Sequence, residues 1–189
     1  GISNIKDLSD FDGFLSRLMT ECEDLMLNLN EYPKFSTEVP YRDLRFANLM
    51  RQRYPLHRYG RLAPLMAKLR MQKEEEEIEH IRTALSITSE AFYRVLDFIR
   101  PGVMEYEIQA EMMYEMIRLG APGPAYPPII GSGRNALVMH YIVNSDACQE
   151  GDLVLMDFGA EYNNYAADIT RTIPVSGKYT ARQRSLYDA

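Results

Sequence analysis

Apolar residues recur every three or four positions through the middle of the chain and every second position nearer its end. Ile78, Ile81, Leu85, Thr88, Phe92, Val95, Leu96 and Ile99 fall on one face of a long helix that Pro101-Gly102 ends. Glu74 to Glu77 occupy its first turn, where negative charge suits the helix dipole. A second helix, from about Glu105 to Leu119, presents Ile108, Met112, Met116 and Leu119 and stops at Gly120. Methionines at that spacing are core rather than a metal or cofactor box. Upstream, Phe11, Phe14, Leu15, Leu18 and Met19 predict a helix from about Ser9 to Leu29, and residues 1 to about 70 read as helical. The character changes at Ala121. Pro122, Pro124, Pro127 and Pro128 enforce an extended loop, and strand-like segments follow at Ile129-Ile130, Ala136 to Val143, Leu153 to Ala160 and Ala166 to Val175. Helices first and strands later predict an α+β fold rather than a doubly wound sheet.

The last two segments read as one hairpin, and each carries an aspartate. Asp157 closes the apolar run Leu153-Val154-Leu155-Met156, and Asp168 opens Ile169-Thr170-Arg171-Thr172-Ile173. Asn163-Asn164 between them offers a turn, because Asn tolerates left-handed backbone. A Tyr162-Asn163 loop would set Asp157 directly opposite Asp168. An Asn163-Asn164 loop would instead pair Asp157 with Thr170 and leave Asp168 one diagonal step away. Side chains alternate with period two, so either register puts both carboxylates on one face. Like charges so placed repel, and on an apolar strand they need a compensating cation or a shared proton. A divalent metal is the economical answer: carboxylates favour Mg, Mn or Ca, with Zn possible if histidine joins. The plainer alternative is an edge aspartate salt-bridged to a neighbour such as Arg171, although Arg171 has the opposite parity to Asp168.

At 46% apolar and 25% charged, the composition is that of an ordinary globular protein, and 189 residues allow one domain or one and a half. A net charge of −6 argues against general nucleic-acid binding. Charge is segregated, however: residues 1–31 hold seven acids against Lys6 and Arg17, whereas residues 41–70 hold eight bases against Asp43. Tyr41, Tyr54 and Tyr59 are too sparse for a base-stacking platform, so the basic block reads as a solvated or domain-facing surface. No apolar run approaches the roughly 18 residues of a membrane span, and no signal peptide is visible. Cys22 and Cys148 make neither a disulfide framework nor a CxxC motif; buried thiols in a reducing, cytoplasmic setting are the expectation. Gly131-Ser132-Gly133 has no helix start or Lys-Ser/Thr behind it and reads as a turn, not a phosphate loop. The chain lacks an initiator Met, and a helix capped by Thr180 runs to its last residue without a stop signal. It therefore reads as a piece of a longer protein.

Several short motifs occur in order: Tyr126-Pro127-Pro128-Ile129, Gly131-Ser-Gly-Arg-Asn-Ala136, His140-Tyr141, Gly151-Asp-Leu-Val-Leu-Met-Asp-Phe-Gly159 and Asp168-Ile-Thr-Arg-Thr172. Together they resemble the pita-bread metallopeptidases, and among them the Xaa-Pro aminopeptidases more than prolidase or methionine aminopeptidase. The resemblance implies that residues 71–189 are the N-terminal half of a pita-bread catalytic domain. Residues 1–70 would then be the C-terminal, helical part of an N-terminal domain plus linker. It also implies two divalent ions, usually Mn2+, held by two Asp, one His and two Glu. Asp157 and Asp168 match the aspartates, with Asp157 on one ion and Asp168 bridging both. His140 matches the histidine thought to steady the scissile carbonyl or the tetrahedral intermediate; without the resemblance it would read as a half-buried strand histidine. His57 and His80 match no motif and read as surface histidines. The remaining ligands and the general base have no equivalent before Ala189, so the chain alone should be inactive. The implied reaction is hydrolysis of the bond between a free N-terminal residue and a following proline. The substrates would be peptides with proline at the second position, and the assembly a dimer or tetramer. The alternatives are a prolidase, restricted to dipeptides, and a pita-bread binding module that has lost its metals.

Overall fold

The computed structural model describes residues 5–32, 34 and 37–189. Two compact units divide the chain, Gly1–Lys73 and Glu74–Ala189.

In the first unit, α1 (Phe11–Glu21) is followed by β1 (Asp24–Leu27), α2 (Arg42–Arg53), β2 (Arg58–Arg61) and α3 (Ala63–Met71). The two strands pair in parallel, Leu25 beside Tyr59 and Leu27 beside Arg61. A small core of Leu15, Met19, Leu27, Ala47 and Met50 joins them to α1 and α2. This corrects the helix expected from Ser9 to Leu29, which stops at Glu21. Leu25, Leu27 and Leu29 alternate inward with exposed Met26 and Asn28, and that period of two is a strand signal. The segregated charges meet in ion pairs: Arg58 with Asp24 at 2.8 Å and Glu23 at 3.0 Å, Arg53 with Asp12, and Arg61 with Glu31. Part of the basic block is thus neutralised by the acids that precede it. Two further readings are corrected in this unit. Cys22 is exposed. His57 is half-buried, its Nε2 lying 2.8 Å from the Met19 carbonyl and its Nδ1 buried without a hydrogen-bond partner.

The second unit begins with α4 (Glu75–Phe98), whose N-cap Glu74 exchanges hydrogen bonds with Glu77 in a capping box. α5 (Glu105–Arg118) packs against it and ends before Gly120, which adopts φ +93°. Ala84, Ile87, Thr88, Ala91 and Val95 form the buried stripe of α4, whereas Leu85 and Leu96 from the expected face are exposed. The alanines carry the contact because a methyl lets neighbouring backbone come close, which a search for large apolar residues overlooks.

A three-stranded antiparallel sheet covers the helices in the order β3 (Ile129–Ser132), β4 (Leu153–Phe158), β7 (Ile169–Pro174). Val154, Met156 and Phe158 point from β4 into a core shared with Ile87, Ala91, Val95, Ile108, Met112 and Met116. Phe158 stacks on Phe92 with ring centroids 5.9 Å apart. Between β4 and β7 stands a short hairpin, β5 (Glu161–Tyr162) and β6 (Tyr165–Ala166). It lies against α4, where Tyr162 and Tyr165 flank the ring of half-buried His80 and the Tyr165 hydroxyl donates to Glu77 at 2.7 Å. Helix α6 (Ala181–Tyr187) closes the chain with Thr180 as its cap. The strand expected over Ala136–Val143 is absent: Gly133–Leu137 is a 3-10 turn, and an irregular, largely exposed segment follows. Its apolar residues have no neighbouring strand to pair with.

One buried hydroxyl ties the hairpin to the helices. Thr88 Oγ1 donates to the Ala84 carbonyl at 2.7 Å and accepts the Ala160 N–H at 2.9 Å. Thr88→Val keeps the shape but strands that N–H, for an expected loss of about 1–3 kcal/mol. Thermal melting checks it, with Thr88→Ser retaining most of the stability.

Candidate active site

Of the two hairpin registers the sequence allows, the structure adopts the one with Asn163-Asn164 at the turn. Both asparagines have left-handed backbone, φ 49° and 68°, as a two-residue type I′ turn requires. Tyr162 then pairs with Tyr165, Phe158 with Ile169 and Asp157 with Thr170. Asp168 lies just before β7, with the parity of Thr170. Since Val154, Met156 and Phe158 face the helices, Leu155 and Asp157 face the other way.

The two carboxylates converge on a third group. The Tyr126 hydroxyl lies 2.7 Å from Asp157 Oδ1 and 3.1 Å from Asp168 Oδ1, so its one proton is shared between them. Burial first, and then the two carboxylates, push the phenol far above the ordinary tyrosine range. Tyr126 is therefore a fixed donor. Its segment is pinned to the hairpin by the Ala125 N–H on the Gly159 carbonyl at 2.8 Å and the Glu161 N–H on the Gly123 carbonyl at 3.1 Å. Neither aspartate has an ion-pair partner among the described residues. Arg171, opposite Met156 in the ladder, donates instead to the Thr170 carbonyl at 2.8 Å. The salt-bridge alternative for this pair is thus not realised.

Beside Asp157 runs a cleft of about 270 Å³. Ile129, Leu155 and Thr170 form its floor, and residues 136–140, His140 included, form one wall. His140 is exposed, sits in left-handed backbone at φ 55°, and makes no hydrogen bond among the described residues. Its expected place in a half-buried strand is corrected accordingly. The structure thus brings His140 and Asp157 to one cleft and Asp157 and Asp168 to one hydroxyl. His57 and His80 lie elsewhere. Tyr126 is a residue that sequence reasoning misses, because nothing local signals its role: it meets its partners across 31 and 42 residues of sequence.

Two hard oxygen ligands with no countercharge fit a divalent cation chemically. No cluster of three or more His, Cys, Asp or Glu suited to a metal occurs among the described residues. Asp157 and Asp168 could by themselves supply only part of the ligands such an ion needs.

The carboxylate pair thus stands on the outer face of an antiparallel sheet that two helices back. Residues 79–189 match metallopeptidase family M24, and the chain belongs to that family. Xaa-Pro aminopeptidase from Escherichia coli is 46% identical over 125 residues, 66% of this chain and 28% of that protein. Zinc-substituted E. coli aminopeptidase P in complex with product superposes with a TM-score of 0.81 at 34% identity, over 100% of this chain and 43% of that one. Pseudomonas aeruginosa aminopeptidase PepP gives 0.83 at 32% identity, over 97% and 42%. The α+β, pita-bread architecture expected from the sequence is the one found. The chain spans less than half the length of these relatives.

Proposed function

We propose that this chain contributes Asp157, Asp168 and His140 to the dinuclear site of an Xaa-Pro aminopeptidase. The observation that carries the proposal is the convergence of two carboxylates without a countercharge on the Tyr126 hydroxyl. The name of the E. coli relative supports the substrate class, peptides with proline second, and the zinc-substituted E. coli structure supports a divalent ion. Manganese is the proposed native metal, and the cytoplasm the proposed setting; among the described residues no helix is long and apolar enough to cross a membrane. A homo-oligomer, dimer or tetramer, is proposed for the whole protein.

In this reading Asp157 and Asp168 hold the metals, and Tyr126 fixes the rotamers of both by donating its proton between them. Bound there, divalent ions would supply the Lewis acidity that makes water a nucleophile at neutral pH. His140, on the cleft wall, presents a ring N–H to the carbonyl oxygen as negative charge develops there. Leu155 and Ile129 on the cleft floor exclude water from the side of the substrate next to Asp157. With two carboxylates only, residues 1–189 alone hold metal weakly and turn over little substrate.

The test is substrate length in the full-length protein with added Mn2+. A peptide longer than two residues, with proline second, is expected to lose its first residue. Cleavage confined to Xaa-Pro dipeptides would replace the proposal with prolidase. Cleavage of neither substrate would leave a binding module.

A further inference from the structure

Glu105 opens α5 and is fully buried, yet no Lys, Arg or His pairs with it among the described residues. Its carboxylate is satisfied by neutral donors. Oε1 accepts the Ser132 N–H at 2.7 Å, the Ser132 hydroxyl at 3.0 Å and the Asn135 amide at 3.0 Å. Oε2 accepts the Tyr141 hydroxyl at 2.8 Å and the Asp146 N–H at 3.0 Å. All five donors come from residues 132–146, the segment that leaves β3 and carries His140. The Asn135 amide also reaches the Tyr141 hydroxyl at 2.9 Å and Asp146 at 2.8 Å, and the Glu105 N–H returns a bond to the Asp146 carbonyl at 2.9 Å.

Buried Asn144 adds a second hold, accepting the Ile130 N–H at 3.0 Å and donating to the Pro128 carbonyl at 2.8 Å and to Gln109 at 2.9 Å, but the stretch between Asn135 and Tyr141 has little else to hold it. Leu137 and Met139 are each 86% exposed, and His140 beside them has left-handed backbone. Ordering such a stretch costs roughly 1–2 kcal/mol of backbone entropy per residue. The anchor therefore lies under both ends of the segment and not at its tip. Burial alone would raise the Glu105 pKa, but the bonds from Ser132, Asn135, Asp146 and Tyr141 outweigh it and hold the carboxyl below its usual range. A buried anion without a cation partner is a poor device for stability alone. Five convergent donors on one loop are a good device for fixing that loop.

We infer that Glu105 is a positioning residue: through Ser132, Asn135, Tyr141 and Asp146 it sets the wall of the Asp157 cleft and so the place of His140. This rests on the role proposed for His140 above. Glu105 touches neither the aspartates nor the cleft, so its effect is on geometry and not on metal affinity.

A double-mutant cycle tests it. Glu105→Gln, His140→Ala and the double variant are compared in the full-length protein for kcat on an Xaa-Pro peptide and for the Mn2+ concentration at half-activation. Glu105→Gln is expected to lower kcat by about 10- to 100-fold, the cost of misplacing a catalytic group by about an ångström. Its Mn2+ midpoint should stay within about twofold, and the double variant should be no slower than His140→Ala alone, since coupled residues are not additive. Losses that multiply, or a kcat near wild type, would overturn the inference. Should Glu105→Gln not fold, Glu105→Asp, which keeps the charge but reaches fewer donors, runs the same cycle. Amide hydrogen exchange adds a readout independent of the reaction. Residues 132–146 should lose protection in the variant whether or not Xaa-Pro peptides are substrates, and unchanged protection sinks the anchor itself.

Discussion

Asp168→Asn is expected to abolish metal-dependent turnover in the full-length protein while leaving the metal-free fold as stable as before, or more so. The two halves of that outcome have one cause. Asp157 and Asp168 share a hydroxyl and have no countercharge, so without metal they repel each other. Asparagine keeps an oxygen for the Tyr126 proton and removes one of the two charges, which relieves the repulsion. With metal the sign should reverse, because the lost charge is one of the two proposed to hold the ion. Wild type should gain stability from Mn2+ by mass action, about 2.7 kcal/mol at a hundredfold excess over Kd, and the variant should gain far less. Tyr126→Phe makes the contrast. It leaves both carboxylates but frees their rotamers, and losing such a partner of a metal ligand typically costs about 10- to 100-fold. Asp168→Asn should cost more. Thermal melting with and without Mn2+, beside kcat on an Xaa-Pro peptide, reads both halves. Near-normal turnover together with an intact Mn2+-induced shift would remove Asp168 from the site.

Local periodicity made the later part of the chain legible. Alternation over 153–158 and 169–174 gave the two strands, and the tolerance of Asn for left-handed backbone left two registers, of which the structure takes Asn163-Asn164. Period 3.6 located α4 and α5 within a residue or two. The misreadings share a physical origin in short signals beside stronger ones. The alternation of Leu25, Leu27 and Leu29 is only five residues long and follows a helix, so locally it is indistinguishable from that helix's last turns. Residues 136–143 are apolar enough for a strand, but strand formation needs a partner, and the fold offers none.

The candidate site divides the same way. That the two aspartates share a face follows from parity, which no register change alters. What joins them is Tyr126, and what holds His140 is Glu105, and both act across more than 25 residues of sequence. Neither partnership has a period. A buried glutamate at a helix start reads locally as a favourable charge on the dipole, and a tyrosine before two prolines reads as loop. Their roles appear only when the sheet brings β3, β4 and the Tyr126 segment together.

The second large effect is expected at Gly159, where glycine is required by close approach and not by backbone conformation. Gly159 lies between β4 and β5, and a Cβ there would sit 1.7 Å from the Ala167 carbonyl oxygen and 2.4 Å from its carbon. No rotamer relieves a clash between a Cβ and backbone, so the strands must separate. That movement would strain the Ala167 N–H bond to the Ala160 carbonyl, 2.9 Å, and the Ala125 N–H bond to Gly159, 2.8 Å. Those bonds fix the two carboxylates and the hydroxyl they share: Asp157 is two residues before Gly159, Asp168 follows Ala167, and Tyr126 follows Ala125. Overpacking of this kind costs about 1–3 kcal/mol and occasionally more, so Gly159→Ala should lower the melting temperature by roughly 2–12 °C. Metal-dependent activity should fall with it even at temperatures where the variant is folded. Gly177→Ala is the control. Gly177 has φ +73° and open space around it, so alanine there meets only backbone strain, on the order of 1 kcal/mol, far from the carboxylates. If Gly159→Ala were no worse than Gly177→Ala, in stability and in activity, the close approach would not be what sets the spacing of the two aspartates.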